Sequence, residues 1–235
     1  MSYEFNKARH IHTLDGKPLT GVTTVLSVIA KPALIQWSAN CAVDFLSTAI
    51  ACGLTLTPEL IKDAKSAHRK RKEVAGEKGT DIHEQAETIV KTQIQANNGI
   101  VADDLSSDNP QIQHFITWAR DNKVKFLKSE EHIYSKDWWI GGICDLVMEI
   151  EGQRWIADIK TSSGIYPEHF WQMAAYDKCF QEMGEPKALG YIVLNLRKDG
   201  GFEEKRSISN EDNLLAFQSA LNIYRIQEKL KSNLK

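Results

Sequence analysis

Gly141-Gly142-Ile143-Cys144-Asp145-Leu146-Val147, a turn at Glu151-Gly152, and Trp155-Ile156-Ala157-Asp158-Ile159-Lys160 decide how this sequence folds. Short runs rich in Ile, Val and Trp on either side of a tight turn read as adjacent antiparallel strands, Ile140–Ile150 and Arg154–Lys160. Glu131–Tyr134, just upstream, completes a three-stranded meander. Each main strand carries one aspartate among small and apolar neighbours, where aspartate is depleted and seldom buried without a partner. Asp145 and Asp158 are thirteen residues apart with the turn near the midpoint, so the hairpin brings them close. Paired carboxylates repel unless a cation lies between them, and hard oxygen ligands favour Mg²⁺ or Mn²⁺. Lys160 follows Asp158 by two residues, so the pleat puts both on one face. Such a set suits metal-assisted hydrolysis of a phosphodiester. The plainer alternative is an Asp–Lys ion pair at a sheet edge, with Asp145 capping a turn.

Downstream, a helix is expected over Pro167–Met183, then a near-continuous apolar strand, Ala188–Leu196, of the kind buried on both faces in a sheet sandwiched by helices. A turn at Asp199-Gly200-Gly201 leads to an edge strand, Phe202–Arg206, and the last helix starts at about Asn210. Upstream, Arg9–His12 and Lys17–Leu19 form a hairpin over Asp15-Gly16. Thr23 or Thr24 is expected to cap a helix through Ile29; further helices start at Pro32, at Thr57-Pro58-Glu59 and at Glu77, and another spans Gln111 to Leu127. The helix from Pro32 stops near Gly53, and Asn97 to Pro110 reads as a mobile loop. The expected fold is α/β, with a central mixed sheet of about five strands flanked by helices and preceded by a helical N-terminal half. Residues 1–235 form one domain in this reading, 20–127 its mainly helical part and 128–235 its α/β core.

The chain has 235 residues, a net charge of −2, 42% hydrophobic and 26% charged residues, a globular profile that excludes disorder and low complexity. No apolar run approaches the ~18 residues of a membrane helix. The opening Met1–His10 has no apolar signal-peptide core, so a cytoplasmic location is expected. Cys41, Cys52, Cys144 and Cys179 form no C-x-x-C pair and read as reduced, mostly buried thiols, with no iron–sulfur cluster. A phosphate-binding G-x-x-x-x-G-K-[ST] loop is absent, so no nucleotide cofactor is expected.

Two helical pairs extend the constellation. His83 and Glu87 are four apart and share a face, and imidazole is a common ligand of divalent ions. Gln172 and Tyr176 have the same spacing just after the Asp-Ile-Lys strand, where an amide and a phenol could bond a phosphate or hold the lysine. His83, Asp145, Asp158-Ile159-Lys160 and Gln172-x-x-x-Tyr176, in that order, resemble the RecB-like branch of the PD-(D/E)XK nuclease superfamily. Gly21-Val22-Thr23-Thr24-Val25-Leu26 is similar to the opening of its phage-type and mitochondrial genome maintenance exonucleases. The resemblance implies a restriction-endonuclease-like core in which His83, Asp145, Asp158 and the Ile159 carbonyl hold the metal, with Glu87 a further candidate. Lys160 then assists the attacking water, and Gln172 and Tyr176 support the site or contact DNA. Cys144 stands where the superfamily has its proline, and Asp158 replaces the alternative Glu. The activity implied is a DNA exonuclease leaving 5′-phosphate and 3′-hydroxyl ends, in the host cytoplasm if phage-encoded. The alternatives are an endonuclease of the same fold or a catalytically idle DNA-binding subunit. Partners would be single-stranded DNA or duplex ends, with a recombinase or single-strand-binding protein, and no membrane.

A route for that partner is legible too. Lys62, Lys65, Arg69 and Lys72 form one helical stripe within a run of seven bases and three acids ending at Gly79, the seventh base being Lys78. Alone, such a run is a solvated face. Trp138, Trp139, Phe170 and Trp171 are candidates to stack unpaired bases or to pack the core.

Overall fold

The structure, a computed structural model, describes residues 2–208 and 211–234, apart from the side chains of Glu77 and Lys78. Asn210, the expected start of the last helix, and the basic group of Lys78 lie outside the described residues. The chain divides into two compact units, Met1–Val28 with Ile82–Lys235, and Ile29–Asp81.

In the larger unit, β1 (Tyr3–Asn6), β2 (Ile11–Leu14) and β3 (Lys17–Pro18) make a small antiparallel sheet. Asp15 and Gly16 turn the expected hairpin with φ of 48° and 72°, the double positive φ of a tight hairpin turn. A two-residue strand β4 (Thr20–Gly21) leads into α1 (Val22–Val25) and a 3₁₀ turn at Leu26–Val28. Neither Thr23 nor Thr24 caps α1: the N-cap is Gly21, with no side-chain bond to the helix.

The smaller unit holds α2 (Pro32–Ala51), which ends where Gly53 adopts a φ of 76°, and the first part of α3 (Pro58–Ala96). The two helices expected from Thr57 and Glu77 are this one helix. Gly76 and Gly79 each weaken it by about 1 kcal/mol relative to alanine, but neither takes the left-handed backbone that would end it.

The larger unit resumes with α4 (Pro110–Asp121), whose N-cap Asn109 accepts a 3.0 Å hydrogen bond from Gln111 N–H. The helix expected to reach Leu127 ends early, because Lys123 turns left-handed, Val124 is buried just after it, and Phe126 enters the core from a strand, β5 (Lys125–Ser135). β6 (Ile140–Ile150) and β7 (Gln153–Lys160) complete the meander, α5 (Pro167–Glu182) crosses over to β8 (Gly190–Leu196), and β9 (Phe202–Ser207) and α6 (Glu211–Asn233) follow. The result is an α/β fold on a mixed sheet in the order β4-β6-β7-β8-β9, with β5 also on β6. β7–β8 and β4–β6 are parallel, the rest antiparallel. It has six strands where about five were expected, β4 being held only by Thr20↔Ile140 and Gly21↔Gly141.

One face of the sheet (Leu146, Met148, Ala157, Ile159, Leu194) packs with Phe115 and Ile116 of α4 and Val90 of α3. The other carries α5, on which α6 lies. β8 is buried along its whole length, as its near-continuous apolar run requires. Residues 82–127, expected in the helical half, thus pack with the sheet. Cys41, Cys144 and Cys179 are buried free thiols and Cys52 is exposed. Among the described residues no single helix is long and apolar enough to cross a membrane.

The segment expected to be a mobile loop is pinned. Arg120 donates to the Ala102 and Leu105 carbonyls, Gln93 accepts from Ala102 N–H, and Gly99 bonds Gln93 and Phe126 through its backbone. Gly99 has a φ of 85°, and a Cβ there would meet the Phe126 carbonyl oxygen at 2.1 Å. Gly99→Ala should therefore destabilise the protein by at least about 2 kcal/mol; a urea midpoint unchanged from wild type would contradict this close approach.

Candidate active site

The β6–β7 ladder runs from Ile150↔Gln153 to Leu146↔Ala157 and stops. Asp145 and Asp158 lie one residue past that last rung, each on its own strand. Asp145 Oδ2 accepts a hydrogen bond from Ile159 N–H at 2.9 Å, so a side chain supplies the rung that the parting backbones no longer make. Ala157 and Ile159 face the core under α4, and alternation turns Asp158 and Lys160 to the opposite face, toward α5. There Lys160 Nζ stands 2.6 Å from Asp158 Oδ1 and 2.5 Å from Oδ2. Asp158 is 1% exposed and the Lys160 side chain 24%. The ion pair of the plainer alternative is present, but Asp145 braces a strand end instead of capping a turn.

Helix α5 brings the two residues expected from it. Gln172 Nε2 donates to Asp158 Oδ1 at 3.3 Å and to Tyr176 Oη at 2.8 Å. The amide thus holds the aspartate and not the lysine, and both Gln172 and Tyr176 are buried as braces of the carboxylate. Gly142 makes room for them, since a Cβ there would lie 2.8 Å from the Tyr176 ring. From α3, His83 Nδ1 reaches to 3.8 Å from Asp145 Oδ2. Glu87, one turn further on, is ion-paired with Lys91. Lys62, Lys65, Arg69 and Lys72 belong to the smaller unit, where all four are exposed on the side of α3 away from buried Ala64 and Ala67. Of the aromatic candidates, Trp138 stacks on Phe217 at 5.9 Å and Trp139 Nε1 donates to the Pro18 carbonyl, which makes both part of the packing.

No family model matches the chain, and no curated protein matches it. Among solved structures it is similar to one described as the crystal structure of SSO0001, at 16% identity and a TM-score of 0.31, over 62% of this chain and 69% of that one.

The charges at the strand ends do not balance. Burial raises the Asp158 carboxyl; Lys160 pulls against it, repulsion from Asp145 adds to burial, and the net direction is up. For Lys160, burial works against the ammonium, but Asp158 and Asp145 outweigh it and hold the group above its usual value. Both groups keep their protons more firmly than usual, Asp158 chiefly because it is buried and Lys160 because two carboxylates face it. Among the described residues no three His, Cys, Asp or Glu side chains are gathered as a metal-binding group, and Lys160 holds the oxygens that a cation would need. The donors nevertheless suit a hard divalent ion: two carboxylates, an imidazole, and a buried Asp158 Oδ2 that accepts no well-directed hydrogen bond.

One residue escaped the sequence reading. Glu130 lies in β5 with a φ of 52°, between the pairs Ser129↔Leu146 and Glu131↔Cys144, and therefore opposite Asp145. Left-handed backbone in mid-strand at a non-glycine residue costs about 1–3 kcal/mol. Its carboxyl is half-buried and is pushed up to about 7, first by burial, then by Asp145 and Glu87, with Lys91 opposing. Its sequence signal was faint, one acid of the pair Glu130-Glu131.

A carboxyl whose pKa is raised by folding contributes stability below its unfolded value, here about 4.5, and loses it as pH rises toward about 7. In EDTA, Glu130→Gln should leave stability near pH 4 unchanged and raise it at pH 8 by about 1 kcal/mol after allowance for solvent screening. Urea melts at the two pH values read the difference; an equal effect at both would remove Glu130 from this charge balance.

Proposed function

We propose that this chain is a divalent-metal-dependent DNA nuclease with a restriction-endonuclease-like core of the RecB-like kind, acting as an exonuclease that leaves 5′-phosphate and 3′-hydroxyl ends. The observation that carries the reading is the convergence of Asp145, Asp158 and Lys160 where β6 and β7 part. An α/β fold with α5 as the crossover beside that point is consistent with such a core. Asp145, Asp158, His83 and the Ile159 carbonyl would hold Mg²⁺ or Mn²⁺, with Glu130 nearby. Once bound, the ion would supply Lewis-acid polarisation of the phosphodiester and a lower pKa for water.

The remaining chemistry belongs to the chain's own side chains. Lys160 places an ammonium at the mouth of the pocket, where it orients the attacking water and offsets the charge that develops on the phosphoryl oxygens. Gln172 fixes the Asp158 carboxylate against α5, and Tyr176 fixes Gln172, so the acid cannot rotate away from the phosphorus. In-line attack by water forms a new bond from its oxygen to phosphorus and breaks the bond to the 3′ oxygen. The water gives up a proton to solvent, and the 3′ oxygen takes one from solvent and leaves as the hydroxyl. The exposed stripe Lys62, Lys65, Arg69 and Lys72 supplies cations to the phosphate backbone, which carry no sequence preference.

Oligonucleotides labelled at the 5′ or 3′ end, single-stranded and duplex, should be shortened from an end in Mg²⁺ or Mn²⁺ and left intact in EDTA. Asp145→Ala, Asp158→Ala and Lys160→Ala should each lower the rate at least about 100-fold while the protein remains folded. Undiminished hydrolysis in EDTA, or by Asp158→Ala, refutes the mechanism. Replacing the four stripe residues with glutamate should weaken DNA binding and flatten its salt dependence by about 0.9 in log–log slope for each phosphate no longer neutralised. A titration series with the same slope as wild type would take the stripe out of the interface.

A further inference from the structure

β8 runs parallel to β7 in the register Lys160↔Asn195, so Asn195 stands beside Lys160 on the same face of the sheet. It is 0% exposed, and neither its Oδ1 nor its Nδ2 has a hydrogen-bond partner among the described residues. Its neighbours Val193, Leu194 and Leu196 are buried and apolar. A leucine at 195 would continue that pattern, whereas an amide with both ends unpaired subtracts from stability and calls for an explanation.

Lys160 offers one. Its ammonium is engaged by both oxygens of Asp158. A cation that takes Asp158 and Asp145 must first displace the ammonium, which then needs another acceptor in a place with little water. Neighbouring strands lie about 4.8 Å apart, within the reach of a lysine side chain. We propose that Asn195 Oδ1 is that acceptor. When a divalent cation claims Asp158, Lys160 crosses to the adjoining strand and is held there, beside the position of the reacting phosphate. The inference rests on the metal-dependent nuclease reading, and it makes Asn195 a positioning residue that acts through Lys160.

The test is a Mn²⁺ titration by calorimetry of the metal-free protein, its Asn195→Leu and Lys160→Met variants, and the double variant. Asn195→Leu, close in size, should bind Mn²⁺ about tenfold more weakly, equivalent to about 1.4 kcal/mol. Its Tm in EDTA should be equal to or above that of wild type, since two unpaired buried polar atoms are gone. In the Lys160→Met background, where no ammonium has to be received, Asn195→Leu should change the affinity less than about twofold; a packing role would weaken binding in both backgrounds. Asn195→Asp keeps an acceptor and should bind Mn²⁺ no more weakly than wild type, and it decides the matter if the leucine variant does not fold. Equal affinity of wild type and Asn195→Leu, an equal loss in both backgrounds, or weaker binding by Asn195→Asp overturns the proposal. A wild type that binds Mn²⁺ and cuts DNA, with Asn195→Leu unchanged, overturns the role of Asn195 alone. A wild type that does neither overturns the nuclease reading and this inference with it.

Discussion

A carboxylate sealed from water has to be given partners, and at 1% exposure Asp158 dictates much of what surrounds it. Lys160 neutralises it, Gln172 donates to it, and Tyr176 holds Gln172 in place. Those bonds require α5 to lie over the end of β7, and that approach requires a residue without a side chain at 142, where Gly142 faces the Tyr176 ring. Buried ion pairs add little net stability, because desolvation offsets the Coulombic attraction. Stability alone therefore gives little reason for such an arrangement.

The second acid has a different task. Asp145 closes the gap between β6 and β7 through Ile159 N–H, which lets the strands separate without leaving a backbone donor unpaired. The Glu130 kink in β5 lies opposite the same point. Two departures from regular sheet geometry at one level, on adjoining strands, concentrate negative charge there. Burial and the neighbouring carboxylates together outweigh the Lys160 ammonium at Asp158 and Lys91 at Glu130, and both carboxyls are shifted upward.

Local features of the fold were legible. The Glu151-Gly152 turn, with φ of 52° and 74°, sets the hairpin register, and that register alone brings Asp145 and Asp158 level. Gln172 and Tyr176 were legible because a helix repeats every 3.6 residues. What could not be read depends on distant pairing. β4 is two residues long and exists because Ile140 and Gly141 accept it. Gly76 and Gly79 look like helix ends, yet a helix already growing from Pro58 propagates through them more cheaply than a new one nucleates. Glu130 and Asn195 are ordinary letters in ordinary strands, and their oddity appears only with a left-handed φ or with the absence of a partner across the sheet.

Most of the polar apparatus belongs to one contiguous strand–helix–strand unit, from β7 through α5 to β8. Asp158, Lys160, Gln172 and Tyr176 are close in sequence, so little loop-closure entropy separates them as the chain collapses. Asp145 arrives across a hairpin, and His83 from a helix, 62 residues before Asp145 in the sequence. The acid–ammonium couple can therefore form early and shield a charge that would otherwise hinder collapse. On the nuclease reading proposed above, full reactivity would be reserved for a chain that has finished folding, a useful order of events for a molecule that cuts nucleic acid.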